Sequence, residues 1–483
     1  MNHPRAVILT FDLGTTRLKV AAFDYAGTLL GQVSRRNLEH QAGQSRWQSA
    51  DAWWQDAVQA TGELMATTGL KATDVQGMSL SGRAGAAVFV DGKGQVIQDP
   101  WSDNRHGTIL AELTVDTPRT SAGYGPALLA KYCWLRTYKP DVARQVKYIL
   151  YAKDFLLYRL TGQAITDPSS GPDGSWDAAL LDRGEVDAQL LPAVRLPWQL
   201  AGVLADPAAV ALGLAPGIPV AVGAHDGISA NIGAGAIAPG EYALTLGTHA
   251  VLRTITRQFP AGARRFYGYP PDRHVIGGNA LFAGRLLDWF LDNWFDQDES
   301  DRQNLFARLD AEASEVPAGG HGITFQPFPR GTIAPAVRPG ARAAFLGMQT
   351  ETTRIHLYRA ILEGTAFALR DILDQLTSWT QAPSLVGVTG SGAKSSTWTG
   401  ILANVLEEPL TLTDGASEGR GAAICFATAV GAFSSVESAV SGMVNPVRVV
   451  EPTKGQVETY RELRQQWLTS VKVTAALDRQ GSP

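Results

Sequence analysis

An α/β chain built twice over is what this sequence predicts, on three observations. A strand-like run broken by Leu13-Gly14-Thr15 returns, weakened, as Leu246-Gly247-Thr248, 233 positions later (247 minus 14). Each copy is followed by alternating helical and strand-like stretches, the pattern of α/β proteins. At 483 residues the chain exceeds what one hydrophobic core organises, so two domains are expected. The Ala238-Pro239-Gly240-Glu241 breaker places the boundary, giving domains 1–238 and 239–483.

The first copy opens as a three-strand meander. Val7–Asp12 is the first strand, Gly14-Thr15-Thr16 turns it, and Leu18–Asp24 returns. Tyr25-Ala26-Gly27 is a turn of hairpin length before Leu29–Arg35. Ser49-Ala50-Asp51 then precedes a helical pattern carrying Trp53, Trp54, Val58 and Leu64. Gln76–Ser81 and Ala86–Asp91 read as strands, and Asp167–Asp177 as a polar, turn-rich loop. Ile218–Val222 is a short apolar strand leading through Gly223-Ala224-His225-Asp226-Gly227 into a small-residue helix, Ser229–Gly235. The second copy repeats the plan. Its hairpin is followed by helices over Gly284–Trp294 and Arg354–Thr377, a strand Leu385–Thr389, a Gly-rich turn and a helix over Trp398–Leu406.

Composition narrows the function. The net charge of −4 gives no electrostatic footprint for nucleic acid or an anionic membrane. No apolar run approaches the roughly 18 residues of a membrane span. Cys133 and Cys425 lack metal-ligand spacing and read as buried free thiols in a reducing compartment. No leader-like region precedes Val7, so a cytoplasmic location is expected.

Phosphate is bound by backbone N–H groups and hydroxyls more than by bulky side chains. Gly14 permits close backbone approach, Thr15 and Thr16 add hydroxyls, and Lys19 adds charge from the outgoing strand. No Walker loop is present. Asp12, at the hairpin mouth, suits a hydrated Mg²⁺, which takes one or two carboxylates beside phosphates and waters. An ordinary hairpin with a surface Asp is the plainer alternative. Gly247-Thr248 carries no acid and would supply donors only. Asp226 follows a strand and opens a helix, which suits an N-cap as well as a base that takes a proton from a substrate hydroxyl. Gly390, Gly392 and Ala393 lie in a strand-turn-helix against which a flat base can slide. Arg83, closing a strand, and the cluster Trp101-Ser102-Asp103-Asn104-Arg105 suit recognition of sugar hydroxyls and C–H faces; for Arg83 a surface ion pair is the alternative. His225, His249 and His356 show no metal-ligand spacing and read as structural groups or loop donors.

Taken together, these segments resemble the FGGY-type carbohydrate kinases (glycerol, xylulose, ribulose and gluconate kinases) over nearly the whole chain. The opening is similar to that family's D-x-G-T hairpin, and Trp101–Arg105 to its W-x-D-x-R segment. Lys131-Tyr132-Cys133-Trp134-Leu135 resembles its first signature, with Leu128 departing from it. Lys153–Gly162 resembles its K-D-Y-x-x-Y-x-L-T-G stretch, Ala343–Glu363 its second signature, and Gly390–Ser395 its adenosine segment. The resemblance implies two actin-like, RNase H-like ATPase domains with ATP in the cleft between them. It implies Asp226 as catalytic base and Asp12 as the magnesium and phosphate carboxylate. Gly14, Thr15, Thr16, Gly247 and Thr248 would touch phosphate, and Gly390, Gly392, Ala393 and Asn404 the nucleoside. Arg83, Trp101, Asp103, Asp226 and Gly227 would face the acceptor.

The departures concern that acceptor. Arg83-Ala84 stands where xylulose kinases have Met-His, and Gly227 where they have Asn. Val275–Asn279 looks more like gluconate kinases, and Pro329-Arg330-Gly331-Thr332 replaces a common S-G-E-R. The implied reaction is phosphoryl transfer from ATP, with Mg²⁺, to a pentulose such as xylulose or to gluconate. The implied partner is a small sugar, polyol or sugar acid, with no nucleic acid or membrane and a homodimer left open. An actin-like ATPase and a non-catalytic sugar sensor are the alternatives from other classes.

Overall fold

The computed structural model describes residues 6–115, 124–171, 175–260, 265–269, 273–280, 282–295, 302–329 and 341–478. In chain order the elements that build the site are β1 (Val7–Leu13), β2 (Arg17–Phe23), β3 (Leu29–Arg36), α1 (Ala50–Thr68), β4 (Val75–Gly82), α2 (Ala152–Thr161), β5 (Leu200–Val203), β6 (Pro219–Ala221), β7 (Ala224–His225) and α3 (Asp226–Gly233). They continue as β8 (Glu241–Leu246), β9 (Ala250–Thr256), β10 (Arg273–Ala280), α4 (Ala283–Trp294), α5 (Arg354–Trp379), β11 (Leu385–Thr389), α6 (Ser396–Leu406), β12 (Leu410–Leu412), α7 (Ser417–Ala429), β13 (Arg448–Val450) and α8 (Lys454–Asp478).

The duplication is a fact of topology. One sheet runs β5-β6-β4-β1-β2-β3, with β7 also on β4; six strands of the other run β13-β12-β11-β8-β9-β10. In both, the hairpin's first strand pairs antiparallel with the next strand and parallel with a strand that follows a long helix, β1 with β4 after α1 and β8 with β11 after α5. β1, a central strand, is buried at every residue, as a strand covered on both faces is, and so reads as a largely apolar run rather than an alternating one. α1 begins where Ser49 accepts from Ala52 N–H, and ends at Gly69 in the left-handed region. It lays Trp53, Trp54, Ala57 and Leu64 into the first core.

The chain divides into two compact units, Met1–Gly235 with Arg265–His274 and Ala416–Asn445, and Ala236–Arg264 with Val275–Gly415 and Pro446–Pro483. Each has its own core, the first around Phe11, Trp53 and Leu80, the second around Leu246, Phe290 and Trp398. A single cut at 238/239 therefore describes only the first crossing. Residues 416–445 join the first unit because α7 lies directly on α3. A Cβ on Gly233 would stand 1.9 Å from the Ser417 carbonyl oxygen, and one on Gly421 would stand 2.0 Å from that of Ser229. Only glycines let two helix backbones approach so closely.

The expected Asp167–Asp177 loop is different in kind where it is described. Asp167, Ser169 and Ser170 are buried, with Gly171 N–H closing the turn on the Asp167 carbonyl. Residues 172–174, and of the Pro329–Thr332 departure residues 330–332, lie outside the described residues. No helix among the described residues is long and apolar enough to cross a membrane.

Candidate active site

In the first unit the carboxyl ends of three neighbouring strands bring the chemistry together. Asp12 of β1 is opposite Ser81 of β4, and Leu13 opposite Gly82; β7 joins β4 so that Ala224 faces Ser81 and His225 faces Gly82. The hairpin Gly14–Thr16, Arg83 and Asp226 thus leave one sheet edge side by side, the edge at which open α/β sheets bind ligands.

Asp12 is buried. Its Oδ1 accepts from Ser81 Oγ at 2.9 Å and its Oδ2 from Lys19 Nζ at 3.2 Å. Lys19 stands directly across the hairpin from it, and also lies 3.6 Å from Glu418 on α7. Burial lifts the Asp12 carboxyl to about 6. Lys19 pulls it down, while Glu418 and Asp226 push it up. Asp12, in turn, holds the Lys19 ammonium well above its ordinary value. Among the described residues no three His, Cys, Asp or Glu side chains are placed to hold a metal by themselves. Asp12 is a single carboxylate, which fits a cation that keeps waters and takes phosphate oxygens.

The hairpin's carbonyls are occupied from behind. Asn37 Nδ2 binds the Gly14 carbonyl at 2.9 Å, Gln48 Nε2 that of Thr15 at 3.2 Å, and Asn37 N–H that of Thr16 at 2.9 Å. The amides and hydroxyls of Thr15 and Thr16 have no partner among the described residues, and both threonines are exposed. Gly14 has no left-handed φ, and a Cβ there would meet only the Arg17 carbonyl, at 3.2 Å. The backbone conformation does not demand this glycine.

Asp226 is the first residue of α3 and is one-third exposed. The expectation that it might be the cap is corrected: His225 caps the helix, its Nδ1 accepting from Gly227 N–H at 3.0 Å. The same Nδ1 lies 3.1 Å from Asp226 Oδ1. The cap frees the Asp226 carboxylate from the helix end. Tyr124, missed in the sequence, stacks on His225 with ring centroids 5.4 Å apart.

The expected acceptor residues divide. Arg83 reaches back to the hairpin. Its guanidinium donates to Gln48 Oε1 at 2.8 Å and to the Thr15 carbonyl at 3.4 Å, and lies over the Trp53 ring. Trp101 is buried between Phe89 and Trp134, and so offers no open indole face. Asp103 is bound by the Arg105 side chain and by Arg46 N–H, which hold its carboxyl well below the ordinary range. Both are braces under the site. The unforeseen Lys131 is buried, donating to the carbonyls of Gly85 at 2.6 Å and Trp101 at 2.9 Å. Burial and the Arg83 charge lower it to about 8.

The second unit repeats the hairpin with other chemistry. The carbonyls of Gly247 and Thr248 accept from Gly284 and Arg285 at the start of α4, and the Thr248 amide and hydroxyl have no partner among the described residues. A Cβ on Gly247 would meet nothing closer than 3.8 Å. At the position of Asp12 stands Thr245, whose Oγ1 accepts from buried Arg253 at 3.1 Å. The Gly-rich turn follows β11, beside β8. Gly390 has φ 96°, and a Cβ on it would stand 2.4 Å from the Leu246 carbonyl, so this glycine seats the turn against the hairpin. Gly392 is pressed between Trp398 and Leu246, and Ala393 is buried. Asn404 stands apart from them: eight residues into α6, about 12 Å along its axis, its Oδ1 accepts from Thr453 N–H at 2.7 Å. It fixes the approach to α8, which the resemblance of the segment did not reveal.

The model of the N-terminal domain of the FGGY family of carbohydrate kinases matches residues 7–233, and that of the C-terminal domain matches residues 243–430. The chain belongs to the FGGY family of carbohydrate kinases. It is 25% identical over 484 residues to a xylulose kinase of Bacillus subtilis, covering 94% of this chain and 95% of that one. It is likewise 25% identical over 481 residues to a gluconokinase of Bacillus licheniformis, covering 94% of each. The structure of a xylulose kinase from Lactobacillus acidophilus superposes with a TM-score of 0.83 at 22% identity, over 99% of this chain and all of that one. This carbohydrate kinase therefore has the family's two α/β domains with actin-like ATPase architecture, and it uses ATP as the family does.

Proposed function

We propose that this kinase transfers the γ-phosphate of ATP to a hydroxyl of a pentulose such as xylulose, with Asp226 as the base. The observation that carries the reading is the shared strand-end edge of β1, β4 and β7, which brings a partly exposed carboxylate next to a hairpin with amides and hydroxyls unpaired among the described residues. Asp226 accepts the proton of the attacking hydroxyl. Thr15, Thr16 and Thr248 donate to phosphate oxygens, where Gly14 and Gly247 leave room for them. Lys19 offsets charge beside Asp12. Gly390, Gly392 and Ala393 form the surface for the nucleobase. Asp12 would hold magnesium, which when bound neutralises phosphate charge. Phosphoryl transfer consists mostly of such positioning and charge stabilisation. The acceptor is named by the xylulose kinases among the relatives.

Asp226→Asn is expected to lower turnover by about 10²- to 10⁴-fold, a general base's usual contribution, while ATP still binds. Steady-state turnover of xylulose together with ATP binding by calorimetry tests this, and near-normal turnover overturns the base assignment.

A second reading is gluconate. Arg83 is half-buried and Lys131 buried, and among the described residues both donate to carbonyl and amide oxygens rather than to a carboxylate, an environment that suits an anionic acceptor. Comparing xylulose with gluconate as acceptors decides between the two. If gluconate is the substrate, Arg83→Met raises its KM about tenfold or more, the loss of one charged hydrogen bond.

A further inference from the structure

A buried ionic network lies behind the strand-end edge, unused by the chemistry above. Lys153 of α2 is fully buried, its Nζ 2.7 Å from Asp154 Oδ1, 3.2 Å from Asp167 Oδ2 and 3.3 Å from the Val222 carbonyl. Asp167 Oδ1 accepts from Ser169 N–H at 2.9 Å and from the Ser169 hydroxyl, and its Oδ2 accepts from Ser170 Oγ at 2.6 Å. With its proton committed to Asp167, Ser169 Oγ accepts from His225 N–H at 3.0 Å. His225 in turn caps the helix that begins at Asp226.

We propose that Ser169, oriented by the Lys153–Asp167 ion pair, is a positioning residue that fixes where Asp226 presents its carboxylate. The inference rests on the reading of Asp226 as base. Two fixed points support it. Lys153 binds the carbonyl of Val222 just before the turn into β7. The following Gly223, at φ 70°, is pressed so close to β4 that a Cβ would stand 1.8 Å from the Leu80 carbonyl. The β7 segment is thus seated by the sheet on one side and by Lys153 and Ser169 on the other. A hydroxyl is needed at 169 because the position must donate to a carboxylate and accept from an amide at once, which Ser and Thr do and Ala does not.

The experiment compares Ser169→Ala, Ser169→Thr and Asp226→Asn. Each is assayed for xylulose phosphorylation, for ATP hydrolysis without sugar, and for active-site concentration by ATP titration. Per active site, Ser169→Ala is expected to lose about tenfold or more in kcat, the order expected when a reacting group is misplaced by a fraction of an ångström. KM for ATP is expected to stay within about twofold, because among the described residues Ser169 bonds only Asp167 and His225, and any sugar-free hydrolysis, whose water must also give up a proton, is expected to fall no further than kcat. Ser169→Thr restores kcat to within about threefold. In the Asp226→Asn background Ser169→Ala adds no further loss. A purely structural role would lower the active fraction and leave kcat per site unchanged. An inactive Asp226→Asn beside a Ser169→Ala of normal kcat overturns the positioning role alone; an active Asp226→Asn overturns the base reading itself. If Ser169→Ala does not fold, Ser169→Cys, close in size but a weaker acceptor, must show the same loss of kcat without loss of ATP binding, and a normal kcat there overturns the proposal.

Discussion

The two hairpins have the same strand order, the same Leu-Gly-Thr tip and the same unpaired threonine amides, yet opposite electrostatics. In the first, a buried carboxylate faces a lysine, and a second acid on α7 shares that lysine. In the second, a buried arginine faces a threonine hydroxyl. Duplication kept the backbone and its unpaired donors, which the proposed reading assigns to phosphate. It did not keep the residue two places before the glycine. On the proposed reading the first hairpin would meet a cation as well as phosphate, the second phosphate only.

The largest expected effect tests that difference. Asp12→Ala should lower kcat by about 10²-fold or more, the range for removing a group that stabilises developing phosphoryl charge. Thr245→Ala, its structural counterpart, should cost less than about tenfold, the worth of one hydrogen bond. Equal losses in steady-state kinetics at saturating Mg²⁺ would mean that the hairpins act alike.

A smaller effect separates glycines that serve ligand from glycines that serve fold. Gly247→Ala meets nothing within 3.8 Å, so its melting temperature should change by no more than a few degrees while KM for ATP rises severalfold. Gly284→Ala would place a Cβ 2.4 Å from the Gly247 carbonyl and should lose about 1–3 kcal/mol of stability by thermal melting. If Gly247→Ala also destabilises by that amount, the space at the hairpin belongs to the fold and not to phosphate.

The duplication, the meander and the helix after His225 were legible in the sequence because each is a local pattern: strand runs, Gly-Thr turns, a caplike residue before small helical residues. Asp12 and Asp226 were legible for the same reason, as carboxylates at strand ends. Trp101 and Asp103 misled as candidates for open contact, because composition shows that an indole and a carboxylate are near each other and not that Phe89, Trp134 and Arg105 already enclose them. Glu418 lay in a segment assigned to the second domain. Its place beside Lys19 depends on Gly233 and Gly421, glycines nearly 190 residues apart (421 minus 233) whose joint role no local pattern reveals. Ser169 was read as part of a polar loop, since a polar turn and a buried polar turn have the same composition.

The buried ion networks also separate the units, which differ there in stoichiometry. In the second unit one acid serves one base. Glu363 Oε1 accepts from Arg359 Nε at 2.7 Å and from the Tyr460 hydroxyl at 3.1 Å, and the carboxylate also accepts from Gly319 N–H. In the first unit Asp154 and Asp167 share Lys153. Glu363→Gln strands a buried guanidinium and should cost about 3 kcal/mol in urea unfolding, at the low end for breaking a buried pair because the amide still accepts. Asp154→Asn leaves Lys153 its Asp167 and should cost within about 1 kcal/mol, as a network that keeps a counter-ion loses only one hydrogen bond. Its signature is in pH. Burial raises the Asp154 carboxyl from 3.8 to about 6, so between those values the folded state holds a proton that the unfolded chain has released. Stability from this group is therefore present below about pH 4 and is lost as pH rises toward 6. Asp154→Asn should remove that share of the slope and leave the share due to Asp12, which burial also raises to about 6. An unchanged slope would show that Asp154 is ionised throughout, with Lys153 matching both acids at once.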